Sequence, residues 1–256
     1  MWLHTDGPST TSTANYAKAE AGYALSDSPT GPFVYGKSER MDRAPEGAVY
    51  NGQPNQPGMA RDMNLFKDDN GTAYLIYSSE ENMTMYISKL NESYTDVTGW
   101  HKDGNEQRDT TYKSEYGVDY IRLFPGAQRE APSMFKYQGK YYMISSGATG
   151  WAPNAARYTV ADQIFGEWRA MRDPSVGTKA STTFDSQSTN VITLDAANGK
   201  YIFMGDRWKS SDLADSRYIW LPIEFGQDDQ IILKWYDQWN LSLLNKMGRI
   251  TINTPL

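Results

Sequence analysis

The sequence predicts an all-β fold that forms a single domain over residues 1–256. Its 18 Tyr, 8 Trp and 8 Phe, together with 21 Gly and 12 Pro, are typical of many short strands joined by tight turns. Helix-favouring patterns are scarce. A chain of this length with 39% hydrophobic residues can bury a full core, and all-β folds of this size commonly form one domain. The candidates are therefore a sandwich, a barrel or a propeller.

A hairpin pattern that occurs three times narrows this choice. Each copy has an apolar strand, a turn containing glycine, and a second strand with paired aromatic or aliphatic residues. The turn glycines Gly71, Gly139 and Gly199 stand about 60 to 70 residues apart, the upper range for repeats that each form one propeller blade. The copies are NLFKDDNGTAYLIYSS from Asn64, SMFKYQGKYYMISS from Ser133 and NVITLDAANGKYIFMGDRW from Asn190.

A second strand pair follows each hairpin, and a matching stretch, AGYALSDSPTGPFVY, lies near the N-terminus. A hairpin plus a second pair makes a four-stranded blade, so the sequence predicts three complete blades and the outer part of another. The segment from Gly36 to Met59, rich in Gly, Pro, Asn and Gln, is predicted to be a loop between blades. The second pairs are MYISKLNESYTDVTGW, ARYTVADQIFGEW and RYIWLPIEFGQDDQIILKWYDQW.

Composition argues against several classes of function. A formal charge of −6 without any run of Lys or Arg disfavours nucleic acid as a partner. The absence of Cys excludes thiolate metal sites, and the two histidines, His4 and His101, are too far apart in the sequence to suggest a metal cluster. We therefore predict no metal and no cofactor. No apolar run approaches the ~20 residues that span a bilayer, and no signal segment opens the chain.

Three polar residues stand at or just before the first strands of the three hairpins: Asp62, Glu130 and Gln187. Innermost strands of a propeller converge on a central channel, so side chains at their entrances can meet in one pocket. Each residue alone is also explained as a solvated strand-start residue. Because polar residues recur at the same position of three blades, we favour the shared pocket. The sequence then predicts that the Glu130 carboxyl and the Gln187 amide lie roughly 6.5–9.5 Å apart.

Carboxyl groups in such a pocket suit glycoside hydrolysis, which needs an acid that is protonated near neutral pH. Glu130 fits this role because apolar Ala131, Pro132 and Met134 follow it. A neighbouring anion such as Asp62 would raise the pKa of Glu130 by disfavouring a second negative charge. We therefore predict Glu130 as the proton donor and an ionised Asp62 that orients it.

Three longer segments carry a resemblance to a known family: RDMNLFKDDNGTAYLIYSSE around Asp62, SSGATGWAPNAARY after Glu130 and GDRWKSSDLADSRYIWLPI near the end. They resemble the exo-β-1,3-galactanase-like branch of glycoside hydrolase family 43, and the resemblance covers nearly the whole chain. It implies a five-bladed propeller and inverting, exo-acting hydrolysis of β-1,3-galactan or arabinogalactan side chains outside the cytoplasm, in a secreted or periplasmic setting. Glu130 would be the general acid, and Asp62 would tune its pKa. Gln187 would stand where a base is expected and position the attacking water through its amide.

The N-terminal segment MWLHTDG has the pattern of mid-strand sequence, so the sequence predicts an N-terminally incomplete propeller of about three and a half blades. The branch also places a glutamate and an arginine that hold the terminal sugar upstream of this stretch. Two hypotheses stay open: an active glycosidase, or a non-catalytic glycan-binding protein or pseudoenzyme. Because an open ring exposes apolar blade faces, we also predict a homo-oligomer.

Two further residues are candidates for binding sugar. Trp151 can stack its indole on a pyranose face, with blade packing as the alternative. Arg207 can donate to sugar hydroxyls, with an ion pair between blades as the alternative. Other tryptophans end outer-strand units and are predicted to pack in the fold: Trp100, Trp168, Trp235 and Trp239.

Overall fold

The protein is described by a computed structural model that covers residues 1–7, 18–51, 57–99 and 114–247. Within these ranges the fold is all-β, with sixteen strands, three short 3₁₀ turns and one short α-helix. The chain divides into two compact units, Met1–Pro132 and Ser133–Leu256. In the part of the chain described, no helix has the length and apolar character that crossing a membrane requires.

The first unit contains two antiparallel sheets, one of three strands and one of four, with each strand next to its neighbour in sequence. Their shared core is built from both sheets, and β5 is buried along its whole length. The strands of the first sheet are β1 (Trp2–Thr5), β2 (Glu20–Leu25) and β3 (Val34–Glu39). Those of the second are β4 (Met63–Lys67), β5 (Ala73–Ser79), β6 (Thr84–Lys89) and β7 (Tyr120–Leu123).

The first predicted hairpin is present as β4 and β5, and Gly71 takes a φ of +87° in its turn, a conformation that glycine adopts without steric cost. The strand predicted to pair with β6 near Asn91 is reduced to one bridge between Leu90 and Val97. The Asn91 side chain there accepts the backbone N–H groups of Thr95 and Asp96, so the segment turns instead of extending. The fourth strand of this sheet, β7, comes later in the chain.

The loop predicted from Gly36 to Met59 begins later than expected, because β3 continues to Glu39. The described part of this connection also contributes to the core, since Met41 and Met59 are fully buried. Asp42 is buried beside them and accepts a hydrogen bond from Ser88 Oγ at 2.6 Å. Burial raises the pKa of Asp42 to about 6.

The second unit contains the remaining sheets, which have four and five strands. β8 begins in the first unit and continues into the second, and the short β12 pairs parallel with β16 while the other pairs are antiparallel. One sheet has the order β11 (Arg169–Ala170), β10 (Arg157–Ala161), β9 (Lys140–Ser146), β8 (Glu130–Tyr137). The other has the order β12 (Ser175–Val176), β16 (Ile231–Lys234), β15 (Arg217–Phe225), β14 (Lys200–Arg207), β13 (Gln187–Asp195). The helix α1 spans Leu241–Lys246.

The other two predicted hairpins are also present, as β8 with β9 and as β13 with β14. Gly199 closes the last of them at a φ of +67° after a single 3₁₀ turn, Ala196–Asn198. Side chains alternate along these strands, so β15 directs Ile219 and Leu221 into the core and leaves Trp220 exposed. The same alternation in β14 decides which side chains near its end reach the candidate site.

Candidate active site

Glu130 is the first residue of β8 and is half-buried, with its carboxyl group fixed by a neighbouring hairpin. Asn82, in the turn between β5 and β6, donates from Nδ2 to Glu130 Oε1 at 2.6 Å. The preceding residue, Arg129, donates its N–H to the Asn82 carbonyl at 2.8 Å, and its own carbonyl accepts Ser78 Oγ at 2.7 Å. Backbone and carboxyl are thus held from the same hairpin, which limits the positions the carboxyl can take.

Asp62 is bound to the residue that follows Glu130. Its Oδ2 accepts the Ala131 N–H at 3.1 Å, and Ala131 has a φ of +52°, an uncommon conformation that this bond helps to stabilise. The Asp62 side chain contacts solvent, yet the surrounding protein excludes enough water to raise its pKa. The Ala131 bond and the electrostatic effects of His4 and Arg61 oppose that shift. Asp62 is therefore ionised over a narrower pH range than an ordinary aspartate.

The turn that carries Asn82 has an unusual backbone. Glu80, Glu81 and Asn82 have φ values of +53°, +57° and +60°, which are costly for residues other than glycine. Glu80 is buried and compensates this strain by accepting hydrogen bonds from Arg122 Nε and Tyr86 Oη, both at 2.7 Å. Burial alone would raise the pKa of Glu80, but its hydrogen bonds and the Arg122 charge lower it. The ionised Glu80 holds the turn from which Asn82 reaches Glu130.

Gln187 opens β13 in the second unit, and both ends of its amide are hydrogen-bonded. Trp208 Nε1 donates to Gln187 Oε1 at 2.9 Å, and Gln187 Nε2 donates to Ser146 Oγ at 2.9 Å. These two contacts fix which end of the amide is the oxygen. An amide so held can orient a water by hydrogen bonding, but it does not take a proton as a carboxylate does.

Gln187 lies in a pocket of about 230 Å³ within the second unit. Two tryptophans form part of its wall: Trp151 is 55% exposed, Trp208 is 43% exposed, and their rings meet edge to face at 5.6 Å. Flat, exposed indole faces next to polar groups are suited to a sugar ring, whose C–H face is apolar and whose rim is polar. The lining residues are Gly150, Trp151, Ala152, Pro153, Asn154, Asp185, Ser186, Gln187, Asp206 and Trp208.

The end of β14 directs two charged residues to opposite faces of the sheet. Asp206 stands opposite Gln187 in the β13–β14 register and lines the pocket. Arg207, the next residue, turns away: its Nε and a terminal nitrogen donate to the Phe184 carbonyl at 3.1 and 2.7 Å, and its guanidinium lies 4.8 Å from the Trp235 ring centre. In this structure the Arg207 guanidinium is engaged by a backbone carbonyl and a tryptophan ring, and its predicted contact with sugar stays a prediction.

A model of the family described as Glycosyl hydrolases family 43 matches residues 7–204, about three quarters of the chain. The chain belongs to glycosyl hydrolase family 43. A search of curated proteins gave no match.

Solved structures of family 43 proteins agree with this assignment. A β-1,3-galactosidase solved with galactodeoxynojirimycin is 37% identical, with a TM-score of 0.77 over 94% of this chain and 72% of that one. An exo-β-1,3-galactanase from Clostridium thermocellum is 34% identical, with a TM-score of 0.71 over 93% of this chain and 46% of that one. An exo-β-1,3-galactanase from Phanerochaete chrysosporium, solved with galactose, is 32% identical, with a TM-score of 0.66 over 91% and 44%. The chain thus spans less than half the length of the two galactanases.

The candidate residues of this family 43 chain fall into two groups. The structure brings Asp62 and Glu130 together in the first unit, and Gln187 and Trp151 line one pocket in the second. Sequence reasoning missed Asn82, Trp208 and Asp206, although the GDRW segment that contains the last two was part of the resemblance. Trp168 packs as predicted, buried with its Nε1 bound to the Ile164 carbonyl. Trp100 and His101 lie outside the described residues.

Proposed function

We propose that this family 43 chain is an exo-acting glycosidase that releases galactose from β-1,3-galactan or arabinogalactan side chains with inversion at the anomeric carbon. The observation that carries the proposal is the fixed carboxyl group of Glu130, held by Asn82 at 2.6 Å next to the Asp62–Ala131 bond. Similarity to a β-1,3-galactosidase and to exo-β-1,3-galactanases supports the substrate class.

In this proposal Glu130 is the general acid. Its proton passes to the glycosidic oxygen as the bond from that oxygen to the anomeric carbon breaks. Asp62 is the positioning residue: its bond to Ala131 N–H holds the backbone of the acid, and its negative charge disfavours early loss of the Glu130 proton. Asn82 keeps the carboxyl group aimed at one place.

Gln187 positions the attacking water, and Trp151 and Trp208 bind the galactose ring. The amide oxygen of Gln187 accepts from Trp208 and can also accept from a water. In an inverting reaction this water attacks the face of the sugar opposite the leaving group. The small pocket suits one terminal sugar, which agrees with exo action.

The proposal includes the architecture implied by the resemblance. The four sheets would be blades of a five-bladed propeller type, and residues 1–256 would form one domain. Order within each sheet supports this, because the strands of three of the sheets follow one another in sequence and the fourth adds only β12.

The decisive test is Glu130→Gln, which keeps the shape of the side chain and the contact with Asn82 but cannot donate an acid proton. We expect release of galactose from β-1,3-galactobiose to fall ~10²–10⁴-fold. An activated 4-nitrophenyl β-galactoside should lose much less, because its leaving group needs little protonation. Glu46→Gln, a change at an exposed glutamate, is the matched control. Equal rates for Glu130→Gln and the parent on galactobiose would remove Glu130 from this role.

One observation favours a second candidate, a non-catalytic galactan-binding protein: the residue at the expected position of the base is a neutral amide. Such a protein would bind β-1,3-galactobiose without releasing galactose. Calorimetric titration followed by chromatography of the same sample separates the two functions, since unchanged disaccharide after prolonged incubation would favour the binding protein.

A further inference from the structure

The pocket of the second unit contains a carboxylate whose role the proposed function leaves unassigned. Asp206 lies directly opposite Gln187 in the antiparallel pair of β13 and β14. Directly opposed residues point to the same face of a sheet, with Cβ atoms about 4.5–5.5 Å apart. Both residues line the same pocket, together with Trp208. A water bound to the Gln187 amide would therefore have a carboxylate as its neighbour.

The surroundings of Asp206 favour proton uptake. Its Oδ1 is buried and has no hydrogen-bond partner among the described residues. Burial raises the pKa of Asp206, and an opposing effect of the Thr189 side chain is smaller. A carboxylate that is costly to keep ionised is a stronger base than an ordinary aspartate, and bases with a pKa closer to the working pH are more effective.

A second carboxylate in the same pocket has the opposite character. Asp185 forms an ion pair with Lys179 and accepts a hydrogen bond from Thr182 at 3.0 Å. The Lys179 contact is the main reason why the pKa of Asp185 is lowered. A carboxylate stabilised in its ionised form by a cation is a poor proton acceptor, so Asp206 is the better base of the two.

We propose that Asp206 is the general base, taking the proton from the water that Gln187 holds; this rests on the proposed function. The water oxygen forms a bond to the anomeric carbon as the bond from that carbon to the leaving oxygen breaks. The water proton goes to the Asp206 carboxylate, and the leaving oxygen receives the Glu130 proton. Solvent then takes the proton from Asp206 and returns one to Glu130, so charge and atoms balance.

This division of labour explains how a site with an amide at the expected base position can catalyse hydrolysis. Gln187 cannot accept a proton, but its oxygen, fixed by Trp208, can set the direction of one O–H bond of the water. The other O–H then points to Asp206, across the strand pair. Orientation and proton acceptance are carried by two adjacent residues instead of one.

The test compares Asp206→Asn with the parent on β-1,3-galactobiose. We expect kcat/KM to fall ~10²–10⁴-fold and the acidic limb of its pH profile, which reports ionisation of the base, to be lost. Sodium azide should restore turnover, because azide attacks without losing a proton, and the product should be α-galactosyl azide, detected by NMR. Asp206→Ala, which leaves space for azide, is the second variant, and thermal melting checks the fold of both. Asp185→Asn is the matched control and should keep the acidic limb.

The outcomes separate this inference from the proposed function. A parent that releases no galactose contradicts the proposed function, whatever the variants do. An active parent with Asp206→Asn within about threefold of it, or with the acidic limb kept, would overturn the role of Asp206 alone. Loss of activity without azide rescue in either folded variant would also overturn it, since a residue that only binds a sugar hydroxyl or supports the fold is not replaced by a nucleophile.

Discussion

The two units bury polar groups in different ways. Among the described residues, every buried charged side chain lies in the first unit. The buried polar side chains of the second unit are all serines or threonines. The charged ones are Glu39, Arg40, Asp42, Arg61, Glu80, Asp119 and Arg129. The acid candidate Glu130 is therefore held by a framework that depends on ionisation, while Gln187 is held by neutral donors and acceptors.

This difference has a physical consequence for the candidate site. Charged contacts in a protein interior change with pH because their partners titrate, and neutral hydrogen bonds do not. We expect the first unit to set the alkaline limit of activity, through Glu130, and the pH dependence of stability. The second unit should set the geometry of the sugar and the water and, through Asp206, the acidic limit of activity. Variants in each unit test this difference.

The largest effect is expected for Asp62→Asn, which keeps an oxygen to accept the Ala131 N–H and removes the charge. Without that charge Glu130 loses its proton more readily, so the alkaline limb of kcat/KM should move to lower pH by about one to two units. Galactose release at neutral pH should fall about 10- to 100-fold. A pH–rate series with galactobiose measures this shift.

Asp62→Ala provides the control, since it removes the charge and the bond together. An alkaline limb that stays in place in Asp62→Asn would show that Asp62 acts only through the backbone. The raised pKa of Asp62 adds a second expectation: as pH falls through it, Asp62 takes up a proton and its influence on Glu130 disappears.

The contrast between the units also explains what the sequence can predict. Apolar strands and turn glycines are local patterns, so the three hairpins at Gly71, Gly139 and Gly199 and the all-β class follow from them. The fourth strand beside β6 was placed too early, because the Asn91 turn is decided by side-chain hydrogen bonds that no periodicity reveals.

The site follows the same rule. Asp62 and Glu130 are candidates from the sequence because carboxylates at strand starts are conspicuous there, and their roles stay predictions. Trp208 was missed because its indole N–H acts through Gln187, and such a contact depends on tertiary structure. Asp206 and Arg207 are neighbours in the sequence, and only the alternation of side chains along β14 shows that Asp206 lines the pocket while Arg207 points away from it.

The next prediction is that the buried Asp42 makes the stability of the fold depend on pH. Its pKa rises from 3.8 to about 6 on folding, so the folded state binds a proton that the unfolded state has lost. The free energy of unfolding should therefore decrease by about 3 kcal/mol as pH rises from about 3 to about 7, with most of the loss below pH 6. Urea unfolding at several pH values measures it.

Asp42→Asn should remove most of this pH dependence, because the amide does not titrate. Asp212→Asn, at an exposed aspartate of the second unit, should leave it unchanged. If the parent and Asp42→Asn show the same slope of stability against pH, the first unit does not control stability in this way.

A smaller effect is expected for Trp208→Phe, which keeps a ring beside Trp151 and removes the donor to Gln187. Loss of one neutral hydrogen bond costs about 0.5–1.5 kcal/mol, so kcat/KM should fall about two- to tenfold. The shape of the pH profile should not change, because no charge is involved. Trp151→Phe is the control for the ring alone. A shifted pH profile in Trp208→Phe would show that Trp208 acts on a titrating group and not only through its neutral hydrogen bond to Gln187.

The last prediction concerns self-association, for which we expect no large change in activity. It involves the surface of the β13–β16 sheet that faces away from the second unit's core. On β15, Tyr218 is 67% exposed and Trp220 is 49% exposed, while Ile219 and Leu221 between and beside them are buried. Exposed aromatic residues in a row are typical of surfaces that another protein covers. We expect a symmetric homodimer at micromolar concentration through the part of this face around Trp220, beyond the Asp206–Tyr218 pair that borders the sugar pocket. Light scattering after size exclusion should give about twice the chain mass of 28.9 kDa, and Trp220→Ser should return it to one chain. A parent that elutes as a monomer, or a Trp220→Ser variant that remains dimeric, would show that this face is not the one that associates.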